Sequence, residues 1–378
     1  MIIKEVLTKK DRKAFFEFPI KLYKNNEYFV PHPISDEEAE FSPEKNGAYA
    51  YAESKMWLCY EGKKIVGRVA AILSHAYNEK QGVKQMRFTR FDVIDDIEVS
   101  KALIGKVIEW AKEKGMNEII GPIGFSDLDK QGMLVDGFDR LGMYITIYNH
   151  PYYVRHMEEL GFKKAVDWVE YRLTVPPADS EVVTKITRLA DRIAKRYGYE
   201  MVEVKGFKNM QPLVYEALSV IMNEVFAHLY GVVEINEKQI AKEAEMLKTV
   251  WVDDFVAAVK NKDGQLIGYG FMAPSVSKVM RKFKNGKLSI SAILQLLRDM
   301  KNPEVVDLYN IGVKKDYQNT GVNVMIMAHC LKALDKRKVR FLETGPELET
   351  NSQVQAQWKD FEKEQHKRRR CWTLKIED

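Results

Sequence analysis

The sequence predicts an α/β fold of the α+β kind, built as two tandem units over residues 1–175 and 176–378. Three observations predict it. The same order of elements (a hairpin, a strand, a helix, a further strand) is readable on each side of residue 175. A β-branched stretch at 305–313 runs through a polar loop with one glycine into an apolar helix, which is how a chain makes an anion site at a helix start. At 378 residues, two domains are the ordinary expectation.

The first unit opens with a polar, Pro-rich segment at 31–50 that would lie over its sheet. A hairpin follows: Trp57 to Tyr60, a turn at Gly62-Lys63, then Ile65 to Ile72. Residues 87–94 alternate as a strand. Residues 99–114 form an amphipathic helix, with Leu103, Ile104, Val107, Ile108 and Ala111 at helical spacing and Gly115 as its stop. Glu118-Ile119-Ile120 is a short strand before Gly121-Pro122. Asn149 precedes a helix that carries Tyr152 and Tyr153 and ends at Gly161-Phe162, and residues 165–173 complete the unit as a strand. Pro176-Pro177 ends it. Asp179-Ser180 can cap the next helix, whose Ile186, Leu189, Ala190 and Ile193 give one apolar face for packing across both units.

The second unit repeats this order. Phe255 to Val259 and Gln265 to Phe271 flank Asp263-Gly264, a strong hairpin signal. An insertion at 273–303 carries a basic cluster from Lys278 to Lys287 (with Arg281, Lys282 and Lys284), which reads as a solvated face or as an attractor of an anionic partner such as the CoA phosphates, a tRNA or a membrane surface, and a helical stretch at 289–298. The strand 305–313 leads into Gln318-Asn319-Thr320-Gly321-Val322-Asn323 and a helix to about Leu334. A strand at 339–344, Gly345-Pro346, Asn351, a helix to about Lys363 and a strand at 369–376 close the chain.

Gln318-x-x-Gly321-x-Asn323 after a strand ending in Val313 resembles the acyl-CoA loop of GNAT-type N-acyltransferases, whose pattern is Gln/Arg-x-x-Gly-x-Gly/Ala. Asn323 departs from it at the last position. The element order over roughly residues 200–378 also resembles a GNAT domain, and the first unit resembles one without the glycine loop. Between Ile94 and Val99 stands Asp95-Asp96-Ile97-Glu98, three acids that would repel a diphosphate. The whole resembles tandem GNAT proteins with one working site. The segment 132–139, with Tyr148-Asn149, Tyr152-Tyr153 and Gly161-Phe162, resembles a bacterial group within that set. The resemblance implies two domains, each a mixed, mostly antiparallel twisted sheet flanked by helices, with the first degenerate and the second holding the site.

The resemblance also implies a chemistry: transfer of an acyl group, acetyl by default, from acyl-CoA to the amine of a small-molecule or amino-acid-like acceptor. Backbone groups around Ile311, Gly312 and Val313 would bond the pantetheine arm and the thioester carbonyl. Residues Gln318 to Asn323, that is Gln318, Asn319, Thr320, Gly321, Val322 and Asn323, would hold the diphosphate, and Asn351 would contact the arm. Alternation places Asp307, Tyr309 and Ile311 on one strand face with Val313. Glu343 or Asp307 would take the amine's proton, unless each is a strand-end carboxylate in an ion pair. Tyr309 or Tyr317 would protonate the leaving thiolate, because Trp358 and Phe361 occupy the helix where many relatives carry a tyrosine. His228, placed on a helix before the second hairpin, reads as a partly buried structural histidine or as a base.

Composition is compatible with this. A net charge of +5 is too mild for a dedicated nucleic-acid binder, although tRNA stays open. Lys367-Arg368-Arg369-Arg370 reads as a solvated face or as an attractor of an anionic partner. Cys59, Cys330 and Cys371 fit reduced thiols in a cytoplasm, and no Cys/His spacing points to a metal. No apolar run of about 18 residues and no signal-peptide pattern occur, so no membrane partner is expected. Two other readings remain. A non-catalytic acyl-CoA binder fits the Asn323 departure. An aminoacyl-tRNA-dependent transferase needs no diphosphate loop, and the retained loop argues against it. Oligomeric state is left open.

Overall fold

The computed structural model describes residues 1–283 and 289–377. Lys284 and Lys287 of the insertion lie outside the described residues.

Hydrophobic patterning sets the first half. Thr8 and Asp11 form a reciprocal cap at the start of α1 (Lys9–Leu22), which follows β1 (Ile2–Glu5). The Pro-rich stretch contains a short helix, α2 (Ile34–Glu40). The hairpin is β2 (Ala52–Glu61) and β3 (Lys64–Ser74), followed by α3 (His75–Gln81), β4 (Gln85–Val93), α4 (Ile97–Glu113) and β5 (Glu118–Gly121). Then come β6 (Met133–Asp136), α5 (Tyr152–Glu159) and β7 (Lys163–Thr174).

The second half starts with α6 (Glu181–Tyr197), whose Ser180 cap bonds Val183 N–H. It continues through β8 (Glu200–Met201), α7 (Phe207–Val220), α8 (Glu237–Thr249), β9 (Val256–Lys260), β10 (Leu266–Pro274), α9 (Ser277–Met280), α10 (Ile290–Lys301) and β11 (Val305–Val313). The chain ends with α11 (Val322–Lys336), β12 (Phe341–Thr344), β13 (Glu347–Leu348), α12 (Ser352–Gln355) and β14 (Lys363–Lys375). The helix expected after Asn351 is only one turn, extended by a 3₁₀ turn at Ala356–Trp358, and the last strand begins at Lys363 rather than 369. His228 sits in turns, not on a helix; α8 is the helix that precedes the hairpin.

All strands join one sheet in the order β1-β2-β3-β4-β5-β14-β7-β12-β11-β10-β9-β8, with β6 and β13 pairing to β14 and β7. Two parallel pairs, β4 with β5 and β11 with β12, occupy equivalent places; the other pairings are antiparallel. The last strand of each half is built into the sheet of the other: β14 pairs with β5, and β7 pairs with β12. Helix α6 packs mainly against α11, through Ala190 and Ile193, while its Val183 and Ile186 join a cluster that includes Leu173 of β7.

The basic run at 367–370 is neither a solvated face nor an attractor. Lys367 and Arg369 are buried and paired with the buried Glu170. Burial pushes the Glu170 carboxyl up, but Arg369 and Lys367 outweigh it and hold it at about 2. Arg368 and Arg370 both bind Asp167. Strand exchange explains this: β14 runs through the middle of the sheet, so its alternate side chains are interior and each cation needs an internal carboxylate.

Candidate active site

Strands β11 and β12 pair from Val305↔Phe341 to Leu308↔Thr344 and then part. A bulge causes this. On β10, Phe271 pairs with Asn310 and Met272 with Leu308, so Tyr309 is the extra residue. From Tyr309 onward the β12-facing edge of β11 has no strand beside it among the described residues. The bulge also overturns the expected alternation. Tyr309 packs with Phe271 and Tyr269 on the α7–α8 face, whereas Ile311 and Val313 pack with Val322 and Ile326 on the α11 face.

The loop after β11 is shaped for an anion. Asn319 and Gly321 have φ of 63° and 92°. Gly321 caps α11 with no side-chain hydrogen bond, and no acceptor among the described residues meets the N–H groups of Val322 and Asn323. Gln318 instead donates to the Val313 carbonyl (3.3 Å), and Thr320 to that of Tyr317 (2.6 Å). Helix α6 leans on the loop, since a Cβ on Gly321 would stand 2.3 Å from Ile193 Cδ1. Asn351 caps α12 by accepting from Val354 N–H and lies on the cavity wall.

A cavity of ≈ 300 Å³ passes through the gap. On the α11 face its wall is mostly apolar, with Met327, Leu331, Leu334, Leu342, Trp358 and Phe361, and among the described residues Glu347 is the one carboxyl there, beside Trp358. On the opposite face it meets Tyr309, Tyr230, Glu243 of α8, and Asp127 and Asp129 from a loop of the first half. Burial raises Asp127 to about 7, with the Asp129 charge adding to the effect. Burial likewise raises Glu243 to about 7, against the pull of Lys242 and helped by Asp129 and Asp127. Glu347 is pushed by burial to about 7 although one oxygen accepts from the Trp358 indole (2.9 Å). Burial, then the charges of Asp307 and Glu243, hold the Tyr309 hydroxyl well above its ordinary value.

Of the expected acids, Asp307 is fully buried, and neither oxygen finds a hydrogen-bond partner among the described residues. Burial, and then the charge of the neighbouring Glu343, push it well above its ordinary value. Glu343 lies beside it in register and faces Arg172 (3.5 Å) and Lys367 (3.6 Å). Neither residue lines the cavity, whereas Tyr309, Ile311 and Asn351 do. Tyr317 is turned away, its hydroxyl accepting from Asn261 (2.8 Å). Asp127 and Glu243 escaped sequence reasoning because one comes from the other half. The only local signal was the pair Asp127-x-Asp129 beside Gly and Pro.

The first half has the same gap, closed. Val93 occupies the place of Val313, each paired with a glycine, Gly67 or Gly268, that lets a helix lie against the hairpin. The Val93 N–H donates to the Tyr153 hydroxyl (2.8 Å), and its carbonyl accepts from the Tyr152 hydroxyl (2.6 Å). Helix α4 is capped by Asp96, which accepts from Glu98 N–H, and Asp95 binds Arg155 (2.6 Å).

No family model matches the chain. Protein YghO of Escherichia coli (strain K12) is 26% identical over 386 residues, covering 99% of this chain and 95% of that one. A protein of Caulobacter vibrioides (strain NA1000 / CB15N) called Bacterial ceramide synthase is 24% identical over 334 residues, covering 87% and 84%. Among solved structures, a tandem GNAT protein from the clavulanic acid biosynthesis pathway superposes with a TM-score of 0.54 at 13% identity, over 100% of this chain and 99% of that one. The chain has the tandem GNAT fold. In that frame β4 with β5, and β11 with β12, are the parallel strand pairs of the two GNAT units, and the bulge at Tyr309 opens the second. Among the described residues no cluster of His, Cys, Asp and Glu could hold a metal ion, and no helix is long and apolar enough to cross a membrane.

Proposed function

We propose that this protein is an acyl-CoA-dependent N-acyltransferase with one reaction site, at the gap between β11 and β12, and that it joins a long acyl chain to a lipid-like amine. The observation that carries this is the cavity through the sheet, mostly apolar on one face and lined by Asp127, Asp129 and Glu243 on the other. The uncapped N-terminus of α11 fits a diphosphate, and the unpaired edge of β11 fits an amide-bearing arm. The apolar wall suits an acyl chain longer than acetyl. The curated relative's name supports the same class, since a ceramide is a long-chain amine carrying an N-acyl group. The acceptor thus moves from the small or amino-acid-like amine expected from sequence to a larger, more apolar one.

Acyl-CoA supplies an activated thioester; the chain's own residues do the rest. Asp127, Asp129 and Glu243 attract an ammonium group entering from the α8 face. Glu243 or Asp127, each near pKa 7, takes its proton and frees the nucleophile. Backbone N–H groups on the open edge of β11 meet the charge that grows on the carbonyl oxygen as the C–N bond forms and the C–S bond breaks. Tyr309 gives its proton to the departing thiolate and regains one as the nitrogen of the new C–N bond loses its second proton. These carboxylates replace Glu343 and Asp307 as proposed bases, because those two do not reach the cavity.

The test is thiol release from palmitoyl-CoA and acetyl-CoA, with a long-chain amino alcohol or a short amino acid as acceptor. Amine-dependent release, fastest with the long-chain pair, is expected. Tight acyl-CoA binding with no release for any amine would overturn the enzyme and leave a binder.

A further inference from the structure

Helix α10 turns Ile290, Ile293, Leu294 and Leu297 to solvent, with exposures of 79%, 46%, 62% and 62%. Their spacing is i, i+3, i+4, i+7, so they form one stripe. The other side of the helix is seated. Ala292 is fully buried, and Leu296 packs on the cluster that holds Tyr309 and Met246. Met300 packs on the cluster of Leu331, Leu334 and Trp358. The helix therefore has a fixed orientation, and its outer stripe is not spare core.

Charge identifies what fits the stripe. Lys278, Arg281 and Lys282 precede it, and Arg298 and Lys301 end it. Asp299 is the only acid between residues 275 and 303. Arg281 and Lys301 have no ionic partner among the described residues, and Lys278 is tied to Glu304 outside the stripe (2.7 Å). A second copy placed on this face would set like charges against each other. An apolar stripe rimmed by cations matches a surface that is anionic outside and hydrocarbon within.

We propose that α10, with Lys278, Arg281 and Lys282 on the chain before it, docks on an anionic phospholipid bilayer, the stripe sinking among acyl chains and the Lys and Arg side chains reaching the headgroups. This departs from the expectation of no membrane partner, because the stripe is too short to read as a spanning segment and emerges only once the fold exposes it. The inference rests on the helix alone and not on acyl transfer. It has a consequence for the cavity: Leu296 and Met300 pack on the same two clusters as the cavity-lining Tyr309 and Leu331, so the docked helix would hold the cavity near the bilayer.

Flotation of the full chain with vesicles tests it. Binding to vesicles containing phosphatidylglycerol, weaker in high salt and much weaker on phosphatidylcholine alone, is expected. L294E/L297E should weaken binding about a hundredfold, as two exposed leucines lose their burial. R281E/K282E should weaken it about tenfold on the anionic vesicles only. Circular dichroism checks that these exposed substitutions leave the fold intact. Wild-type protein that floats with neither vesicle, or L294E/L297E that binds as well as wild type, overturns the proposal. So does a dimer that L294E/L297E dissociates in the absence of vesicle binding, which would assign the stripe to a second copy. Thiol release with a water-soluble amine in vesicle-free buffer should be equal in wild type and L294E/L297E, which separates a failure of docking from a failure of catalysis.

Discussion

The two gaps of this molecule solve one problem in opposite ways. A strand that parts from its neighbour leaves backbone N–H and C=O groups that something must satisfy. In the first half, Tyr152 and Tyr153 do so at Val93, and Asp96 does so at the start of α4. In the second half, the corresponding edge keeps one such repair, Gln318 donating to the Val313 carbonyl, while among the described residues no side chain partners the Val313 N–H or caps the start of α11 at Gly321. The difference teaches that a ligand site can be read as the place where a repeated unit omits its own repairs.

The comparison breaks most sharply at Gly321. Replacing it with valine forces a side chain into φ 92° and against Ile193, so acyl-CoA affinity should fall at least about a hundredfold by calorimetry. Unchanged affinity would place the diphosphate elsewhere. Next, Tyr309→Phe should lower kcat about a hundredfold while leaving the acyl-CoA Kd unaltered. An equal fall in affinity would make the hydroxyl a binding group instead.

A pH profile sharpens the roles of the carboxylates. Asp127 and Glu243 are raised to about 7, so they are protonated and idle below that pH and act as bases above it. The rate should therefore rise with pH through about 7, and Glu243→Gln with Asp127→Asn should flatten that limb with a loss of about tenfold to a hundredfold. A limb that survives both substitutions would return the base to Glu343 or another group.

The first half gives the smaller effects. Tyr153→Phe strands the Val93 N–H and removes a contact to Tyr23, costing about 2 kcal/mol in a denaturant melt. Acyl-CoA stoichiometry should stay at one per chain; a rise to two would mean the closed gap is a latent second site. Asp96→Ala should cost about 1 kcal/mol, the ordinary worth of a cap, and leave acyl-CoA binding alone.

What could be read from sequence was local. The Asp263-Gly264 turn, the spacing of Leu103, Val107 and Ala111, and the strand–Gly321–helix signature each depend on a few consecutive residues, and each gives an element at its expected place. What could not be read depends on partners far along the chain. The bulge at Tyr309 shows only against β10, and it turns Ile311 to the face opposite Tyr309. Lys367 and Arg369 look like surface charge until Glu170, about two hundred residues earlier, is set between them. Asp127 reaches Glu243 only because the halves share a sheet.

Strand exchange bears on how the chain is made. Strand β14 is synthesised after all the other strands of this sheet, yet it lies between β5 and β7 of the half made first. While the nascent chain grows, β5 presents an open hydrogen-bonding edge, and β7 waits for both β12 and β14. Neither half can finish on its own, so maturation is a single late event and not two successive ones. A stalled or clipped product lacking β14 would leave the facing edges of β5 and β7 open at once, and it should be a preferred client of chaperones and proteases.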